Sequence, residues 1–293
     1  MRPMVGLALA TSVVSAACSI DIRGDERVAR EEKRFTVVGD VDLTLRTFDG
    51  SIDVHGWDRN EVLVHIERRG SSDADIAALE VRATRQDGRI VVEALDPRRH
   101  GVGLGWASPS VSFVVSMPRT VVLRARSGDG TVVATDLEGD VSIETDDGGV
   151  RTERLGGQVS VRTGHGSVRI AAGKGALEVD SGDGAVDIQG RFEVVHVSTG
   201  DGRIDIDASP GSAMKKDWSV ATGNGAITLR LPDGFDAEVE ARTGDGGVRA
   251  DEVFGIRRDR DRRERDVLSA RLGNGGQRLR LESGDGRISI RGR

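Results

Sequence analysis

Gly182-Asp183-Gly184-Ala185-Val186-Asp187-Ile188 is answered eighteen residues later by Gly200-Asp201-Gly202-Arg203-Ile204-Asp205-Ile206, and this repetition decides the fold. Related turns precede it at Gly128-Asp129-Gly130, Asp147-Gly148 and Gly164-His165-Gly166. Others follow at Gly223-Asn224-Gly225, Gly244-Asp245-Gly246 and Gly284-Asp285-Gly286. The closing glycines of the first five stand at 130, 148, 166, 184 and 202, a constant step of 18; the later steps of 23, 21 and 40 read as insertions and a double unit. Apolar positions keep the same register. Val132, Val150, Val168, Val186 and Ile204 form one column, and Ala134, Thr152, Ile170, Ile188 and Ile206 a second. Val141, Val159, Leu177 and Val195 form a third, and Ile143, Val161, Val179 and Val197 a fourth. Each unit therefore holds two short strands of period 2, ended by glycine turns.

One such unit cannot fold alone. About four buried aliphatic side chains contribute roughly 6–12 kcal/mol gross, whereas ordering the backbone costs about 1–2 kcal/mol per residue. Units stacked at about 4.8 Å pair their backbones and merge their columns into one core. The expected fold is all-β, a β-solenoid (parallel β-helix-like) of ~18-residue turns from 127 to 293, with eight turns extending about 38 Å. Its alternative is an antiparallel sandwich or meander. Residues 207–218 and 251–266 break the register as insertions; the second carries Arg257, Arg258, Arg260, Arg262, Arg263 and Arg265 among acidic neighbours, as a solvated loop does.

The chain has 293 residues with 40 Gly, 9 aromatics (6 Phe, 3 Trp) and no Tyr, which disfavours a stacking cleft for bases or sugars. A net charge of −6 argues against a nucleic-acid binder. One cysteine excludes an intramolecular disulfide framework. Its position is informative. Met1-Arg2-Pro3, an apolar run from Met4 to Val14 and Ser15-Ala16-Ala17 have the parts of a secretory signal over residues 1–17. Cys18 follows at once, and Ser15-Ala16-Ala17-Cys18 resembles a lipobox, departing from it at Ser15 where Leu is usual. The expectation is an exported chain lipidated on Cys18, held at the membrane of the cell envelope, with residues 18–33 as a charged tether; the alternative is an ordinary signal cleaved after Ala17, leaving a secreted or periplasmic chain with a free Cys18 thiol.

From 34 to 126 the pattern remains β without the 18-residue period. Strands are expected at 35–38, 41–47, 51–54, 61–67, 80–84, 89–94, 111–117 and 121–126, a short helix at 73–79, and hairpin turns at Phe48-Asp49-Gly50 and Gln86-Asp87-Gly88. Residues 98–109 read as a Gly-rich loop. This region is expected to cap the open end of the repeats.

Gly50-Ser51-Ile52-Asp53-Val54-His55-Gly56-Trp57-Asp58 with Glu61-Val62-Leu63-Val64, and Val114-Val115-Ser116-Met117-Pro118 leading to Ser127-Gly128-Asp129-Gly130, resemble the bacterial putative-adhesin family of β-strand-repeat proteins, a domain of unknown function. The resemblance spans about residues 34–293. It implies a β-helical envelope protein and brings no catalytic or ligand residues with it.

Sites of other kinds are not indicated. No Gly-x-Gly extends to Gly-x-Gly-x-x-Gly before a helix, and Gly173-Lys174-Gly175 lacks the rest of a P-loop. Histidines 55, 65, 100, 165 and 196 are scattered, without zinc spacing. The column Asp129, Asp147, Asp183, Asp201, Asp245, Asp285 could bind calcium, but His165 and Asn224 occupy the same column, which points to turn geometry, with Asn and Asp capping amides or accepting αL backbone. No metal and no cofactor is expected. The functional expectation is a non-enzymatic envelope protein whose solenoid presents a surface for adhesion, scaffolding or regulatory contact with a protein or glycan partner. The alternatives are a polysaccharide-acting enzyme on a parallel β-helix and a calcium-binding repeat protein.

Overall fold

The computed structural model describes residues 19–23, 26–86, 88–95, 109–251 and 266–293. They form an all-β protein of 23 strands and one short helix, Asp73–Ala78, with every strand joined into a single sheet that folds back on itself. Two ladders make up this sheet, and strands Val168–Ser181 and Val186–Thr199 run through both.

The pairing between repeats is parallel and in the register of the sequence columns. On the first ladder Val132 faces Val150, Val150 faces Val168, Val168 faces Val186 and Val186 faces Ile204. On the second, Val141 faces Val159 and Val159 faces Leu177. The antiparallel alternative therefore does not hold across these repeats. β-Branched residues on alternate positions drive this: Val132, Val150, Val168, Val186 and Ile204 are all fully buried. Both ladders turn such residues into one continuous core.

Four sequence expectations are corrected. Residues 18–33 are not a tether throughout, because Ser19–Arg23 and Glu26–Thr36 are paired strands, the second also antiparallel to Glu61–Gly70. The charges that suggested a tether make ion pairs instead: Arg30 with Glu67 at 2.8 Å, and Arg68 with Glu31 at 2.7 Å, while Val28 and Phe35 are buried. Phe48-Asp49-Gly50 is not a hairpin turn. It carries the chain from Val41–Thr47 on the second ladder to Ile52–Trp57 on the first, and these strands pair in parallel with Thr120–Ser127 and Val132–Thr135. At the second expected hairpin, Val81–Gln86 and Arg89–Ala94 do pair antiparallel; Asp87 between them lies outside the described residues.

The third correction concerns Trp218, placed by its sequence in a register-breaking insertion. It is fully buried, begins strand Trp218–Thr222, and packs at 5.3 Å between ring centroids on Phe235. The fourth concerns stacking order. Residues 244–286 are not a double unit continuing the stack. The last coil, Arg278–Ser283 with Ile288–Gly292, lies between the coil of Trp218–Thr222 with Ile227–Leu231 and the coil of Ala237–Thr243 with Val248–Ala250. Strand Val267–Leu272 then adds antiparallel on the far side of Ala237–Thr243. The N-terminal end does likewise: Val41–Thr47 lies between Arg89–Ala94 and Thr120–Ser127, and Ile52–Trp57 between Ser110–Pro118 and Val132–Thr135. All coils share one register, so the columns cannot say which coil is next to which.

Candidate functional site

The repeated turn is the feature on which the molecule is built, and its support comes from a residue that the sequence reading passed over. A hydroxyl side chain precedes every Gly-x-Gly or equivalent: Thr47, Ser127, Thr145, Thr163, Ser181, Thr199, Thr222, Thr243 and Ser283, each 0–7% exposed. In Ser127, Thr145, Thr163, Thr199, Thr222 and Ser283 the hydroxyl donates to a carbonyl of the neighbouring coil and accepts the amide of its own closing glycine. Ser127 Oγ donates to Gly50 O at 2.8 Å and accepts from Gly130 N at 3.1 Å. Thr163 does the same with Gly148 O and Gly166 N, both at 3.1 Å. Ser283 binds Gly225 O, and Thr243 binds Gly286 O at 2.8 Å, so the hydroxyls also follow the exchanged order of the last two coils. The signal was present in the sequence as an invariant Ser or Thr before each turn.

Thr163→Val keeps the shape and removes both bonds, leaving a buried carbonyl and amide without partners. It is expected to destabilise by about 1–3 kcal/mol. Thr163→Ser, the residue used at 127, 181 and 283, is expected to cost much less. Equilibrium urea unfolding of the two variants measures the difference.

The acidic column lies outside this ladder, on the surface. Its residues do not take αL backbone: the non-glycine residues with positive φ are Asp136, Arg154 and Ala172 at the opposite corner. The expected αL geometry is therefore corrected, while the place of these residues in the turns stands. The backbone amides of Asp147, Asp183 and Asp285 donate to the preceding layer's turn carbonyls at 3.1–3.3 Å, while their carboxylates face solvent. His165 and Asn224 interrupt the like charges. His165 Nδ1 lies 2.5 Å from Asp147 Oδ1, and Nε2 lies 4.0 Å from Asp183 Oδ2; Asn224 Nδ2 donates to Asp201 Oδ1 at 2.5 Å.

The hydrogen bond to Asp147, its charge, and the charge of Asp183 raise the His165 pKa above its usual value of 6.5. A raised folded pKa stabilises fully below the unfolded value, and the contribution is lost as pH rises through the folded value. At this exposed site the effect on stability is small. Asp147→Asn is expected to return the His165 midpoint toward 6.5 in an NMR titration, and an unmoved midpoint would exclude this pairing.

At the opposite corner Arg154 and then Arg119 hold Asp136 down to a pKa of about 2, with Arg154 Nε 2.8 Å from its carboxylate. Lys174, from the rejected P-loop likeness, pairs with Glu138 at 2.7 Å. His55 pairs with Asp53 and Thr135, and His65 with Glu32. Among the described residues no three His, Cys, Asp or Glu side chains come together as a metal site. No helix among them is long and apolar enough to cross a membrane. Cys18, the signal segment 1–17, His100 and residues 252–265 of the arginine-rich insertion lie outside the described residues.

Grooves also run over the surface of the described residues. One, of about 670 Å³, runs over Glu26–Thr36, Glu61–Gly70 and Ser110–Pro118; ion-paired Arg34, Glu32, His65 and Glu67 surround Val114, which is 44% exposed. Another, of about 850 Å³, lies on the second ladder among Arg46, Phe48, Glu93, Arg124, Arg126 and Glu144. Opposite charges line both, and Arg126 reaches Glu144 at 2.8 Å.

Comparison with known proteins bears on the fold. The profile of the Toastrack DUF4097 family matches residues 27–291. A cell adhesion protein structure from Clostridium sporogenes, described as putative, is 14% identical over 90% of this chain and 100% of that one, with a TM-score of 0.29. A putative adhesin from Parabacteroides merdae is 12% identical over 89% and 95%, with a TM-score of 0.46. A putative lipid binding protein from Parabacteroides distasonis is 10% identical over 88% and 96%, with a TM-score of 0.39. Such low scores carry no argument about function. A search of curated proteins found no match.

Proposed function

We propose, from the premise that this chain belongs to the Toastrack DUF4097 family, that it is a non-enzymatic, exported, lipid-anchored envelope protein whose β-solenoid presents its outer faces for adhesion, scaffolding or regulatory contact with a protein or glycan. The supporting observation is the place of Cys18 directly before a strand. Cys18 immediately precedes Ser19–Arg23, the strand at one end of the first ladder. Among the described residues thirteen strand segments follow one another along that ladder, so an acyl group on Cys18 would anchor one end. The other end would stand roughly 58 Å away at about 4.8 Å per step.

Metabolic labelling with a fatty-acid analogue tests this reading in the intact chain. Labelled protein in the membrane fraction is expected, and Cys18→Ala is expected to remove the label and release the chain from membranes. A mature wild-type chain with an unmodified Cys18 thiol would overturn the anchor.

A further inference from the structure

The coil at the C-terminus, residues 278–293, has an unusual place. It comes after its neighbours in sequence, yet it is paired between them on both sides. Arg278–Ser283 makes five residue pairs with Trp218–Thr222 and six with Ala237–Thr243, all parallel. Ile288–Gly292 is held between Ile227–Leu231 and Val248–Ala250. Leu279, Leu281, Ile288 and Ile290 are 0–1% exposed.

The slot recognises a register rather than a particular neighbour in sequence. Ser283 Oγ meets Gly225 O at 2.9 Å, and Gly286 N meets Ser283 Oγ at 2.8 Å, the same pair of bonds that Thr222 makes with Gly202 O and Gly225 N in the adjoining coil. An identical segment from another molecule would make identical contacts. The link into the coil is also built for a change of direction. Gly273, Gly275 and Gly276 have φ of 53°, 78° and 127°, and Asn274 is held only at an exposed position, its amide donating to Asp236 Oδ1 at 2.7 Å.

We propose that residues 278–293 are an exchangeable strand pair, and that two copies of this chain interlock by each placing its last coil in the other's slot. Because the contacts are the same in both arrangements, only opening of the glycine link and the loss of independent motion separate monomer from exchanged dimer, and concentration sets the balance. The slot lies at the end of the ladders remote from Ser19, so the two N-termini of an exchanged pair point away from the shared coils. This inference does not depend on the lipid anchor.

Ser219 and Arg280 are direct register partners on the second ladder, and Cys18 is the chain's single cysteine. In a Cys18→Ala background, Ser219→Cys and Arg280→Cys chains are mixed in denaturant, refolded together at high concentration and oxidised. The expected result is a disulfide-linked heterodimer, severalfold more abundant than from a mixture of Asp205→Cys and Arg280→Cys, which lie on different ladders. The double variant Ser219→Cys/Arg280→Cys reports the same register within one chain. If it closes intramolecularly while the mixture gives no heterodimer above the control, exchange is excluded. If it fails to close, the register on which the proposal rests is itself wrong.

Discussion

Gly148→Ala is expected to prevent stable folding, while Gly149→Ala, one residue along, is expected to be nearly neutral. A Cβ at 148 would lie 2.1 Å from the carbonyl oxygen of Gly130 and 2.6 Å from Thr145 Oγ1. The obstacle is backbone of the adjacent coil, already fixed by two ladders, and it cannot swing aside as a side chain can. The same clash, at 1.8–2.1 Å, awaits a Cβ at Gly130, Gly166, Gly184, Gly202, Gly225 and Gly286, each against the closing glycine of the neighbouring coil. None of these seven residues has positive φ. Glycine is needed here for close approach of one turn to the next, not for an unusual backbone. At Gly149 the nearest atom to a new Cβ is Ser167 O at 3.4 Å, an ordinary contact. We expect a loss above about 4 kcal/mol at 148, outside the range of common substitutions, and below about 1 kcal/mol at 149. Thermal melts followed by far-UV circular dichroism measure both. Equal effects at the two positions would show that the coils are not stacked at this distance.

Removing residues 277–293 is expected to have an effect of the same size, although the deletion is terminal. In a stack that follows chain order, loss of the last coil frays one end. Here the deletion empties an interior layer. Burial of Leu279, Leu281, Ile288 and Ile290 contributes roughly 6–12 kcal/mol gross at about 1.5–3 each, comparable to the whole stability of a typical protein. The strands beyond it, Ala237–Thr243, Val248–Ala250 and Val267–Leu272, lose their attachment to the body of the fold. Hydrogen exchange of the truncated chain is expected to show lost protection across 237–250 and 267–272. Native protection there would mean that these strands had closed directly on Trp218–Thr222, and the intercalated order would not be required.

Much of this arrangement was legible because a repeat states its own register. Val132, Val150, Val168, Val186 and Ile204 are aligned in the sequence and again in the ladder, because identical spacing is what parallel pairing of successive coils demands. The turn was legible as glycine chemistry. Its buried hydroxyl was missed because Ser and Thr next to Gly-Asp-Gly look like solvent-exposed loop residues. Only the stack reveals that Thr163 lies between two coils and binds one of each. The misreading of 18–33 had the opposite origin: a run of charges looks solvated until a second strand supplies the countercharges, as Glu67 does for Arg30. The acidic column was read as turn capping, yet its carboxylates face solvent, and His165 and Asn224 relieve the charge between layers.

By itself, then, the sequence determined the all-β class, the length of the repeat, the faces that are buried and the glycines at the turns. These are local consequences of alternation and spacing, and they hold whichever coil lies alongside. The tertiary structure decided the order of the coils: that Val41–Thr47 and Ile52–Trp57 enter the stack near its beginning, and that residues 278–292 slip between two earlier coils near its end. The physical reason is that the coils offer the same backbone ladder and similar aliphatic surface in the same register. Local residues specify how a coil pairs, while the links between coils and the packing at each end choose its neighbours.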